Sequence, residues 1–158
     1  MTLSFTRVSR LLLILPMTLV VAITMTPVLS GDNATDPWAK SELLEPSALA
    51  KILKSSNQQP TIICVAFPVL YRGRHILQAK FAGPASRPEG IKALRELVAS
   101  MPKSADIVIY CGCCPMDKCP NIRPAYQTLK ELGFSHIRVL DLPTNLHSDW
   151  SEKGYPID

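Results

Sequence analysis

Three short apolar runs, rich in β-branched residues, constrain this chain more than anything else in it. They occupy residues 61–67, 106–110 and 137–140. The first two are apolar at nearly every position rather than at alternate ones, which predicts strands covered on both faces. Helical periodicity fills the intervals. In 46–54, Leu49, Ile52 and Leu53 share a face and Pro46 suits the first turn. In 91–100, opened by Pro88-Glu89-Gly90, the face is Ile91, Leu94, Leu97 and Val98. The stretch 123–132 stops at Gly133, a candidate C′ residue. Residues 41–44 predict an edge strand or a turn, 76–81 a further strand, and 145–153 a last short helix. The alternation predicts one α/β domain: a parallel sheet of about four to five strands with helices on both faces.

The chain has 158 residues, enough for one domain of ordinary size. Residues 1–30 have a three-part export pattern: Arg7 and Arg10, then an uncharged apolar stretch, then Val28-Leu29-Ser30 before Gly31. That pattern predicts a signal peptide, or an N-terminal anchor if it is not cleaved. Residues 31–40 read as a linker and 41–158 as the domain. The body of the protein is therefore expected to be exported, periplasmic or secreted. Net charge is +4, two of it from Arg7 and Arg10, and no basic run follows. This is too little charge to argue for a nucleic-acid partner. Membrane contact is expected only through an uncleaved N-terminus.

The chemistry concentrates after the run 106–110. Four of the five cysteines, Cys111, Cys113, Cys114 and Cys119, fall within nine residues, between a predicted strand and a predicted helix. Helix starts present free N–H groups and favour an anion, and a thiolate is an anion. Five cysteines cannot all pair, so thiol chemistry or metal binding outranks a disulfide framework. Cys119 lies beside the helix start, with Asn121 as a candidate N-cap, and Cys114 is a further candidate. Cys64, inside the first run, reads as a small buried hydrophobe. Lys118 reads as a solvated loop lysine, and His136 and His147 have no constellation around them.

Several segments together resemble the rhodanese-like domain of the sulfurtransferase superfamily. Tyr71, His75, Ile76 and Ala79 match its Tyr-x-x-Gly-His-Ile-Pro-Gly-Ala segment. The run 107–110 ending at Cys111 is similar to the strand that carries its active-site cysteine. Ala125, Leu129 and Leu132-Gly133-Phe134 are similar to the helix that follows, and 137–140 with Trp150, Gly154 and Pro156 to the last strand and terminal motif. The similarity spans roughly residues 42–157. Two departures stand out. Cys64 and Ala66 occupy the places of the family's Asp-x-Arg, and eleven residues separate Cys111 from Arg123 where the family has four.

The resemblance implies a sulfurtransferase of the thiosulfate type, which carries sulfane sulfur as a cysteine persulfide on the 111–121 loop. It needs no cofactor. Its partners are a small sulfur-containing anion such as thiosulfate and a thiol or protein acceptor. On this reading Cys111 is the catalytic cysteine by strand position and Cys119 by helix position. Arg123 binds the anion and His75 supports the loop. Two alternatives stay open. Cys111, Cys113, Cys114 and Cys119 form a soft thiolate set suited to zinc or copper, or to thiol redox exchange. The domain can also be a non-catalytic binding module on the same scaffold.

Overall fold

The computed structural model describes residues 36–55 and 58–158. The expected export segment, 1–30, lies outside the described residues. Among those described, no helix is long and apolar enough to cross a membrane. Five strands form one sheet: β1 (Leu43–Leu44), β2 (Thr61–Cys64), β3 (Lys80–Phe81), β4 (Asp106–Tyr110) and β5 (His136–Leu140). Their order is β1-β5-β4-β2-β3, and every neighbouring pair is parallel. The helices are α1 (Pro46–Ser55), α2 (Pro68–Gly73), α3 (Pro88–Val98) and α4 (Ile122–Glu131).

Hydrophobic patterning explains this order. β4 is the middle strand, and Ile107, Val108, Ile109 and Tyr110 are all buried. Successive side chains of a strand point to opposite faces, so both faces of the sheet are covered there. Each helix buries one face: Leu49, Ala50 and Leu53 of α1, with the predicted Ile52 half-buried; Leu94 and Val98 of α3, with the predicted Ile91 and Leu97 half-buried; and Ile122, Ala125, Tyr126 and Leu129 of α4. Gly133 takes φ +84°, and its N–H bonds the carbonyl of Lys130 while that of Phe134 bonds Leu129. A left-handed glycine thus closes α4, as a C′ residue does.

The expectations needed adjusting where the chain turns. The first run is a strand only over Thr61–Cys64, because Phe67 becomes the N-cap of α2 and Pro68 enters its first turn. The short α2 gave no amphipathic signal, since Val69 and Leu70 are exposed. In 76–81 only Lys80–Phe81 joins the sheet. Gln78 at φ 64° turns the chain, and Ile76 instead makes an antiparallel bridge to Ile157. Residues 41–44 divide into the end of a 3-10 turn (Lys40–Glu42) and the edge strand β1. The last helix shrinks to one π-type turn, His147–Ser151, anchored by the buried Trp150, whose Nε1–H donates to the carbonyl of Pro156 at 2.9 Å.

The segment preceding the domain is more than a tether at its second half. Trp38 is buried and meets Tyr126 edge-on at 5.7 Å, and Asp36 pairs with Arg123. Two-sided burial of β4 makes it the strand least tolerant of a void. Ile109→Ala should lower unfolding stability by about 2–5 kcal/mol, measured by denaturant titration.

Candidate active site

Strand order decides where a site can form. From β2 the chain moves outward to β3, and from β4 it moves the opposite way to β5. The connections diverge between β2 and β4, so a crevice opens at the carboxyl ends of those two strands. Cys64 and Tyr110 are level with each other there, and Cys111 follows immediately. A cavity of about 450 Å³ occupies the crevice, lined among others by Cys64, Tyr71, Arg74, Cys111, Cys113 and His147.

The loop that carries the cysteines is held on three sides. Gly112 has φ +74°, and a Cβ added there would lie 2.7 Å from Cβ of Leu146. Only glycine allows that turn and that approach together. The carbonyl of Gly112 accepts the N–H of Leu146 at 3.0 Å, and the N–H of Met116 donates to Leu142 at 3.2 Å. On the far side Arg123 donates to the carbonyls of Asp117 at 2.9 Å and Cys119 at 3.5 Å, while its Nη2 pairs with Asp36 at 2.5 Å. The guanidinium also faces the Trp38 ring. Arg123, the cation expected to bind an anion, is therefore committed to the loop backbone and to Asp36, and it does not line the cavity.

Loop curvature gathers the thiols. Sγ of Cys111 and Cys113 are 3.1 Å apart, and those of Cys113 and Cys114 are 3.2 Å apart. Cys111, Cys113 and Cys119 place all three sulfurs within 4.8 Å of one another. Cys111 and Cys119 are buried, Cys113 and Cys114 half-buried. No thiol in the described residues is in a disulfide.

Cys119 and Cys111 share one proton unequally. Cys119 accepts a hydrogen bond from the Cys111 thiol and the backbone N–H groups of Asn121 and Ile122 at the start of α4, which lowers its pKa to about 6 despite burial. The N–H groups of a helix start have no partner inside the helix, and Pro124 contributes none. The sulfur of Cys119 thus gains its charge from its place just before the start of α4. Beside that thiolate, Cys111 is pushed strongly up, first by its bond to Cys119 and then by burial. Two sulfurs this close do not both ionise. Burial raises Cys114 to about 12, with Cys113 and Cys119 adding to the rise, and burial also raises Cys64. Cys64 sits in the core as a weakly acidic, largely shielded thiol, in line with the sequence reading.

Asn121 occupies the N-cap position of α4 but does not cap with its side chain. Completely buried, it accepts the N–H of Ser86 at 3.0 Å through Oδ1 and donates from Nδ2 to Cys111 Sγ at 3.3 Å. His75 stacks on Tyr71 at 3.9 Å, its Nδ1 lies 2.9 Å from the Tyr71 carbonyl, and its Nε2 is 3.9 Å from Asp158. It orders the segment beneath the cavity and touches no thiol. Sequence reasoning missed Arg74 and His147, which reach the cavity from distant segments. His147 is 3.2 Å from Glu152, whereas Arg74 has no carboxylate partner among the described residues.

No family model and no curated protein matches the chain. Solved structures do. The rhodanese-like domain of the Alr3790 protein from Anabaena sp. aligns at TM-score 0.55 and 24% identity, over 74% of this chain and 78% of that one. The fold is that of a rhodanese-like domain. The BH2092 protein from Bacillus halodurans gives TM-score 0.58 and 17% identity, over 75% and 77%. A thiosulfate sulfurtransferase from Pseudomonas aeruginosa gives 0.54 and 21%, over 78% of this chain and 20% of that one. On this rhodanese-like fold the cysteine cluster 111–119 occupies the loop after the central strand.

The loop makes two testable demands. Thiolate absorbance in the ultraviolet should report one thiolate at neutral pH that is lost as pH falls through about 6. The sign follows from the lowered pKa, because the charged form persists above that value. Cys119→Ser should remove this step, and Cys111→Ala should move it upward by deleting a donor. Asn121→Ala removes a completely buried amide together with its bonds to Ser86 and Cys111, and should cost about 1–3 kcal/mol in denaturant titration.

Proposed function

We propose that this chain is a sulfurtransferase-like protein that carries sulfane sulfur as a persulfide on Cys111. The observation that carries this reading is the position of that thiol. Cys111 ends the central strand at the switch point, lines the cavity, and sits beside a partner able to take its proton. A donor such as thiosulfate binds with its charge toward Arg74, which takes the role first expected of Arg123. The Cys111 proton passes to Cys119 as the Cys111 sulfur attacks the sulfane sulfur. The S–S bond of the donor breaks and sulfite departs with its electron pair. Asn121 Nδ2 donates toward the charged sulfur. The cavity is far larger than the donor needs, which suits a thiol or protein acceptor entering along the same path. A neighbour in fold that is named thiosulfate sulfurtransferase accords with this substrate class. The N-terminal export pattern favours a setting outside the cytoplasm, periplasmic or secreted.

A second reading rests on the three sulfurs within 4.8 Å. Cys111, Cys113 and Cys119, with Cys114 as a fourth, suit a soft ion such as copper(I), or zinc in tetrahedral form. Stoichiometric metal in anaerobically purified protein, lost in the cysteine variants, would favour it over sulfur transfer.

Rapid mixing of the reduced protein with thiosulfate should release one sulfite per chain, and Cys111→Ser should abolish the burst. A burst that survives Cys111→Ser but not Cys119→Ser would exchange their roles. Arg74→Gln should raise the KM for thiosulfate about tenfold or more, the usual loss for one charge-assisted contact, with kcat little changed.

A further inference from the structure

A persulfide carrier needs one thiol, yet this loop packs three sulfurs into one cluster, with a fourth 3.2 Å from Cys113. The surplus has a chemical consequence if Cys111 is charged with sulfur, and the inference rests on that reading. We propose that Cys119 resolves the Cys111 persulfide within the loop, releasing hydrogen sulfide and leaving a Cys111–Cys119 disulfide. The protein would then act as a reductase of sulfane sulfur as well as a carrier.

The step balances without an external oxidant. Cys119 attacks the inner sulfur, Sγ of Cys111. The bond between Sγ and the outer sulfur breaks, and the outer sulfur leaves with the electron pair as HS⁻. The proton of that HS⁻ is the one Cys119 gives up, and a second from water makes it H₂S. Two thiol sulfurs are oxidised to the disulfide while the sulfane sulfur is reduced to sulfide. For thiosulfate the sum is thiosulfate and two thiols giving sulfite, sulfide and one disulfide. A dithiol reductant then reopens the loop by ordinary exchange.

Geometry selects Cys119 over its neighbours. Its sulfur lies within 4.8 Å of Cys111 Sγ, and Cys119 does not line the cavity, so it does not compete with the donor for space. Its backbone is fixed beside Cys111, the N–H donating to the Met116 carbonyl at 3.1 Å and the carbonyl accepting from Arg123 at 3.5 Å. Its near-complete burial keeps thiols of other molecules away, so its partners are the thiols of its own loop, held at high effective concentration with Cys111 among them. Cys113 is nearer, at 3.1 Å. It is separated from Cys111 only by Gly112, whose backbone is pinned to Leu146, and a bond across one pinned residue closes a small, constrained ring. A Cys111–Cys119 bond closes the whole loop instead.

The test starts from reduced, metal-free protein under anaerobic conditions with one equivalent of thiosulfate. Sulfite, sulfide and free thiols are counted, and the protein is weighed intact and as peptides. The expected result is one sulfite and one sulfide per chain, two thiols lost, and a Cys111–Cys119 cross-link that dithiothreitol reverses. Cys119→Ser, which also loses the proton acceptor, should release sulfite more slowly, and whatever sulfite it releases should come without sulfide, the added sulfur staying on the protein. Circular dichroism checks that the variant folds, and the wild-type count stands by itself if it does not. Sulfite without sulfide, with the sulfur retained by the wild type, would overturn this inference and leave the persulfide reading intact. No sulfite at all would overturn both. Sulfide released with a Cys111–Cys113 cross-link, or undiminished in folded Cys119→Ser, would remove Cys119 as the resolving thiol.

Discussion

A strand covered on both faces offers function only at its ends, and β4 is such a strand. Its apolar residues have no route to solvent along their length. The parallel sheet sets the direction, so the carboxyl end of β4 is where backbone and side chains first meet the crevice. The site depends on that burial. It holds Cys111 on a rigid support, and it places the start of α4 close enough for free helix N–H groups to meet a sulfur of the same loop. A looser strand would supply the same cysteines without a defined geometry.

The electrostatics follow from proximity. Cys111 and Cys119 share a proton, and the helix start biases the charge toward Cys119. The charge is thus held on Cys119, which does not line the cavity, while the thiol of Cys111, which does, stays protonated. Such a division suits a site that must keep a reactive sulfur quiet between turnovers. Arg123 serves the same end structurally. By joining Asp36, the Asp117 carbonyl and the Cys119 carbonyl, it sets the curvature of the loop. The segment around Trp38 and Asp36 is thereby tied to the loop, although it lies far away in sequence.

The long loop differs from a short cradle of backbone N–H groups in what it gathers. Instead of one thiol ringed by donors, it assembles a group of sulfurs with one amide, Asn121, bridging Cys111 to Ser86. That group has three possible uses in chemistry: sulfur transfer, thiol exchange and soft-metal binding. Burial and cavity access separate the roles of its members more than their residue type does.

Much of this was legible in the chain itself. Continuous apolar runs dictate two-sided burial, and the phases of α1 and α3 follow from the spacing of their apolar residues. Gly133 marks the end of α4, and the cysteines stand on a strand-to-helix crossover, where a site is expected. These are local properties, set by covalent geometry and by side-chain periods of two or 3.6 residues. The order β1-β5-β4-β2-β3, and with it the crevice between β2 and β4, came only with the tertiary structure. So did the surroundings of the two arginines: Arg74 lines the cavity from the segment after β2, while Arg123, nearer in sequence, pairs with Asp36. The side chain of Asn121 likewise abandons the cap that local rules assign it for partners on β4's loop and before α3. Each of these outcomes depends on groups remote in sequence meeting in space, and the period of a single segment carries no record of such meetings.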